Sequence, residues 1–113
     1  MITARFTFEN GEITGFDVRG HSGYADSGSD IVCAAVSSAV MLCECAISDV
    51  LRANPEIKVD DEKNSVSLEI SPGMPPEKLK SCREMLTALE LHLKALKEDY
   101  PEHIEILEVC EHA

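Results

Sequence analysis

Apolar and polar residues alternate over the first nine positions, with Ile2, Ala4, Phe6 and Phe8 on one side and Thr3, Arg5, Thr7 and Glu9 on the other. A period of two is what a strand with one buried face requires. Asn10-Gly11 follows, a pair that accepts positive φ and so suits a two-residue hairpin turn. A second strand over Glu12–Arg19 keeps Ile13, Phe16 and Val18 as its apolar set, and the change of phase around Gly15 predicts a bulge or bend. Asp30 then opens a helical stretch. As N-cap it would accept an N–H from the second or third helical residue, the third being Cys33. Val32, Val36, Ala39, Cys43, Ile47 and Val50 recur at helical spacing, and Ala34, Ala35, Leu42 and Ala46 add apolar surface on adjoining sides. The expectation is a buried helix ending near Asn54-Pro55, because proline disfavours helical geometry in the residue before it.

Ile57 and Val59, then Val66, Leu68 and Ile70, predict two short strands joined by a polar turn over residues 60–64. Pro72, Gly73, Pro75 and Pro76 interrupt regular structure. From Glu77 a second helix places Leu79, Cys82, Leu86, Leu89, Leu93, Leu96 and Tyr100 on one stripe, and Pro101 stops it. His103 to Val109 reads as a last strand returning to the sheet. The order ββαββαβ, without repeats or an internal linker, predicts a single α+β domain over residues 1–113. Its expected form is a two-layer sandwich, a mainly antiparallel sheet with two helices packed on it. Such a sheet leaves a face or an edge to cover, so self-association is expected.

Composition narrows the function classes. Apolar residues make up 44% of the 113 and tryptophan is absent, so the core is aliphatic. Twenty-one acidic against ten basic residues give a formal charge of -11, which repels nucleic acid and anionic lipid and suits a basic partner. Five cysteines at irregular spacings, with no secretory signal pattern before the first strand, argue for free thiols in the cytoplasm. Ile31 to Leu42 is strongly apolar, but Cys43-Glu44-Cys45 and Asp49 follow too soon for a span of about 20 apolar residues. The reading is therefore no membrane segment.

Cys33, as third helical residue, would sit where free N–H groups and the helix dipole favour a thiolate. The dipole supplies only about 0.3–1 kcal/mol, less than one pKa unit, so a nearby cation must do more. His21 lies twelve residues earlier at the end of a strand. A loop freed by Gly20, Gly23 and Gly28 can fold back so that imidazole and thiol form the pair used in nucleophilic catalysis. His21 would take the thiol proton and later give one to a leaving amine, with Asp30 placed to cap the helix or orient His21. The plain alternative makes Cys33 a small buried hydrophobe and His21 a loop residue. Cys43 and Cys45 would point about 200° apart on a helix, which is poor geometry for a shared metal. Cys82 and Cys110 read as structural or incidental. His92, His103 and His112 lack metal-ligand spacing, so no metal or other cofactor is expected.

Gly20-His21, the glycine-containing loop and the run Asp30-Ile31-Val32-Cys33-Ala34-Ala35-Val36-Ser37 closely resemble the Prp family of ribosomal-processing cysteine proteases. The length and the ββαββαβ order are similar over the whole chain. The resemblance implies a bacterial cysteine endopeptidase that removes a short N-terminal extension from the precursor of the twenty-seventh protein of the large ribosomal subunit. It implies Cys33 as nucleophile, His21 as general base, Asp30 and Ser37 in support, no metal, and a homodimer. It also implies a mobile cover, which Ser22–Ser29 fits in composition; Gly20, Ser22, Gly23, Tyr24, Gly28 and Ser29 are read as the substrate loop, Tyr24 on this sequence's own account, and the acidic surface suits a basic ribosomal protein precursor as substrate. Two other classes compete: a non-catalytic module that binds a ribosomal protein or assembly intermediate, and a thiol-redox protein with a resolving cysteine beside Cys33.

Overall fold

Asn10 and Gly11 take φ of 53° and 79° and close the first hairpin, β1 (Ile2–Glu9) against β2 (Glu12–Arg19). The computed structural model describes residues 1–20 and 27–111, without the side chains of 27–30. The bulge falls where the sequence changes phase. Thr7 pairs with Gly15 and Phe8 with Ile13, so Thr14 is the extra residue. Position 15 is glycine because the carbonyl of Leu68 crosses where a Cβ would stand, and the Glu69 carboxyl is 2.7 Å from it.

A second hairpin, β3 (Glu56–Asp60) against β4 (Ser65–Glu69), joins the edge of β2. The sheet order is β3-β4-β2-β1-β5, with β5 spanning Ile104–Glu111. Three of the four pairings are antiparallel, and β5 lies parallel to β1. A parallel return needs a long crossover. Helix α2 (Pro76–Asp99) supplies it, carrying the chain from β4 across to β5.

Both helices sit on the face that presents Ala4, Phe6, Phe16, Val18 and Leu68. α2 buries Cys82, Leu86, Leu89 and Leu93, the stripe that its spacing predicts. α1 (Ser27–Cys45) buries Val32, Val36, Val40 and Cys43. The opposite face is polar over β1, β2 and β4, where the Thr7 hydroxyl donates to Glu69 Oε1 at 2.8 Å and the Arg19 guanidinium pairs with Asp17 at 2.6 Å, and apolar at Leu107 and Val109 of β5. The α+β two-layer architecture is therefore as expected, with the sheet mixed at β5.

Several expectations about α1 are corrected. It starts at Ser27, so Asp30 is its fourth residue and not its cap. Nucleation is the costly step of helix formation and extension is cheap; no proline intervenes, and the helix runs back through residues 27–30. Its regular part ends at Cys45, and a π turn over Ala46–Val50 follows, closed by the Leu51 N–H donating to the Ala46 carbonyl at 2.8 Å. That turn places one more residue per revolution, so Leu51 packs against the core and Val50, expected on the inner stripe, is 73% exposed. The outer face is also uncovered: Ile31, Met41 and Leu42 lie in the open, so the helix is buried on one side only. Nor does length exclude a span, since Ile31–Val50 is long and apolar enough to cross a membrane by those measures. What its inner side chains do is share one core with the sheet and α2.

Gly15→Ala is expected to lower unfolding free energy by about 1–3 kcal/mol, the usual range for forcing an extra methyl group into a packed site. Gly73→Ala meets only the Ser71 hydroxyl at 3.7 Å and is expected to change stability by less than about 0.5 kcal/mol. Urea denaturation of the two variants checks the contrast.

Candidate active site

Cys33 lines a cleft of about 320 Å³, whose lining includes none of the other four cysteines. One wall is α1, through Cys33, Val36, Ser37, Val40, Met41 and Glu44. The facing wall is the β3–β4 hairpin, through Val59, Asp60, Asp61 and Val66, and Ile2, Val18 and Gly20 close the floor. Burying Val32, Val36, Val40 and Cys43 fixes the rotation of α1, and that rotation leaves Cys33 half-buried at the border of the core. Ser37, one turn later, lines the same cleft.

Gly20 reaches the cleft for a backbone reason. Its φ is 92°, its N–H donates to the Asn64 carbonyl at 3.1 Å, and a Cβ there would stand 2.5 Å from the Met1 carbonyl. The end of β2 is thereby tied to the β3–β4 turn beside Cys33. The structure thus brings Cys33, Ser37 and Gly20 together. His21, Ser22, Gly23 and Tyr24 lie outside the described residues, as does the side chain of Asp30. Gly28 and Ser29 are corrected: both belong to the first turn of α1, so the segment before the helix is shorter than expected.

The helix-terminus argument for Cys33 is also overturned. Cys33 is the seventh residue of α1, whereas the free N–H groups and most of the dipole's effect belong to the first turn. Any activation of its thiol must come from a neighbouring side chain. Sequence reasoning missed Glu44 and the acids of the turn as cleft residues. For Glu44 the signal was present, since it stands eleven residues after Cys33 and three helical turns bring it back to the same face. The Asp60 carboxylate accepts the N–H groups of Glu62 and Lys63 at 3.0 and 3.2 Å, which shapes the turn that brings Asp61 to the rim.

The other thiols differ in kind. Cys43 is buried between the helices, 3.8 Å from the Met85 carbonyl. Burial first, then the charge of Glu44 and the thiol of Cys82, push it up to about 11. Cys82 is fully buried, 3.9 Å from the Met74 sulfur, and burial raises it as well. Cys45 and Cys110 are exposed and away from the cleft.

Cys33 is thus a half-buried thiol at the border of an apolar, acid-rimmed cleft, the concave and mostly apolar setting that ligand sites use. A family model described as cysteine protease Prp matches residues 1–105, and the chain belongs to that family of ribosomal processing cysteine proteases. The ribosomal processing cysteine protease Prp of Bacillus subtilis (strain 168) is 22% identical over 104 residues, 92% of either chain. A crystal structure from Streptococcus mutans superposes with a TM-score of 0.85 at 25% identity, covering 98% of this chain and 96% of that one. The essential ribosomal processing protease Prp from S. aureus, crystallised with a covalently linked product peptide, gives 0.79 at 26% identity, covering 96% of this chain and 99% of that one.

Thiol accessibility gives a direct check on this arrangement. In the folded protein at pH 7, iodoacetamide is expected to label Cys45 and Cys110 and to leave Cys43 and Cys82 unmodified, while all five label in guanidinium. Peptide mass mapping reads the result, and labelling of Cys43 at the rate of Cys45 would contradict the packing of α1.

Proposed function

We propose that this cysteine protease removes the N-terminal extension from the precursor of the twenty-seventh protein of the large ribosomal subunit, with Cys33 as nucleophile and His21 as general base. The observation that carries the proposal is the position of Cys33 in the lining of a cleft of about 320 Å³ that includes none of the other four thiols. The Cys33 thiolate attacks the scissile carbonyl and forms a carbon–sulfur bond. His21 holds the thiol proton and delivers it to the departing amine as the peptide bond breaks. Water then hydrolyses the thioester, releasing the carboxylate product and restoring the thiol. Ser37, one turn from Cys33, supports the site, and Asp30 is assigned the same part from its position in the motif.

The net charge of -11 and the acids at the cleft rim suit a basic ribosomal precursor. Five free cysteines suit a reducing cytoplasm. We assign the protein as a homodimer, supported by the uncovered apolar side of α1 at Ile31 and Leu42, which are 57% and 67% exposed.

Incubation with the N-extended precursor tests the catalytic assignment. Wild-type protein is expected to release the extension as a single peptide detected by mass spectrometry. Cys33→Ala should abolish release, and His21→Ala should slow it by roughly 100-fold or more, both with unchanged melting curves. Normal processing by Cys33→Ala would eliminate the mechanism. Sedimentation equilibrium tests the assembly: a mass twice 12.4 kDa is expected, falling to the monomer value in Leu42→Glu.

A further inference from the structure

The cleft that holds Cys33 runs on along α1 as a channel. Cys33, Ser37, Val40 and Glu44 lie on one stripe of the helix, and all four line it. Eleven residues separate Cys33 from Glu44, about 16 Å of helix at 1.5 Å per residue. An extended peptide advances roughly 3.3 Å per residue, so about five substrate residues cover that distance. Resting on the reading of Cys33 as nucleophile, we propose that Glu44 is a specificity-determining residue: its carboxylate receives a lysine or arginine side chain of the substrate four to six residues from the scissile bond.

The surroundings of Glu44 favour a cation there. Val40, Val59 and Val66 make the intervening channel apolar, and among the described residues no lysine, arginine or histidine lines it. Glu44 also takes part in none of the salt bridges among those residues. Its carboxylate is half-buried, and burial pushes its pKa above the ordinary carboxylate range, a desolvation cost that a cationic partner offsets. Asp60 and Asp61 face the channel from the β3–β4 turn, so the whole rim carries one sign of charge. Asp60 Oδ1 accepts two backbone N–H groups of its own turn, and Glu44 is the carboxylate on the wall that carries Cys33.

The test uses peptides spanning the precursor's processing site in which every basic residue is first replaced by glutamine. One lysine is then walked from two to eight residues away on either side of the bond. Wild-type kcat/KM is expected to peak about tenfold above the lysine-free peptide, with lysine four to six residues away on one side. Glu44→Gln should flatten that peak, and Glu44→Lys should shift the preference to a peptide with glutamate at the same place, an inversion that unfolding cannot produce. Cleavage with a flat wild-type profile, or with a peak that Glu44→Gln leaves standing, would overturn this assignment alone. Failure of the wild type to cleave even the unmodified peptide would overturn the peptidase reading and this inference with it.

Discussion

The fold depends on how the inner stripe of α1 seats against the sheet. Val32, Val36, Val40, Cys43 and Ile47 are buried in one core with Phe6, Phe16 and Leu68, and close packing gives such a helix no freedom to roll. With its rotation fixed, every other position on α1 is assigned a direction. Cys33 and Glu44 turn toward the β3–β4 hairpin, and Ile31 and Leu42 turn to solvent. Cys33 is therefore positioned by the buried stripe, of which Val36 and Val40 also border the cleft. Core substitutions on the inner stripe reach the chemistry through this rotation.

The same helix separates two kinds of thiol by exposure alone. Cys33 and Cys43 are ten residues apart on one continuous element. One borders a cavity, whereas the other is held protonated by burial and by neighbours that share its sign of charge. A third, Cys45, is exposed two residues further on. Cysteine count and spacing could not have sorted them, because what distinguishes them is the packing around each.

Much of this was legible in the chain. The alternation in β1, the Asn10-Gly11 turn, the offset at Gly15 and the leucine stripe of α2 each encode local structure through a single short-range rule, and each appears in the structure. Three features were not legible, for different reasons. The start of α1 depended on extension through Ser27–Asp30, residues whose preference for caps and turns masks a helix. The parallel pairing of β5 with β1 joins residues about a hundred positions apart, beyond any local pattern. Exposure of the outer side of α1 could not be read because Ile31, Met41 and Leu42 are as apolar as the stripe that is buried. Cys33, Ser37 and Gly20 could be singled out in the sequence and Glu44 follows from helical spacing, while Asp61 joins the cleft only because the hairpin closes against the helix.

The π turn at Ala46–Val50 follows α1 as its last revolution and shifts the phase of the chain where the helix ends. Before it, the angular setting of the cleft residues is locked to the sheet. After it, Leu51 and Ala53 find their own fit to the core. In effect the helix contains a one-residue insertion absorbed within a single revolution, and it works as a phase adjuster. The connection to β3 can lengthen, shorten or change direction, and the mismatch is taken up in that turn and does not rotate the wall that carries Cys33. Variation in the second hairpin is thereby uncoupled from the angular placement of the thiol.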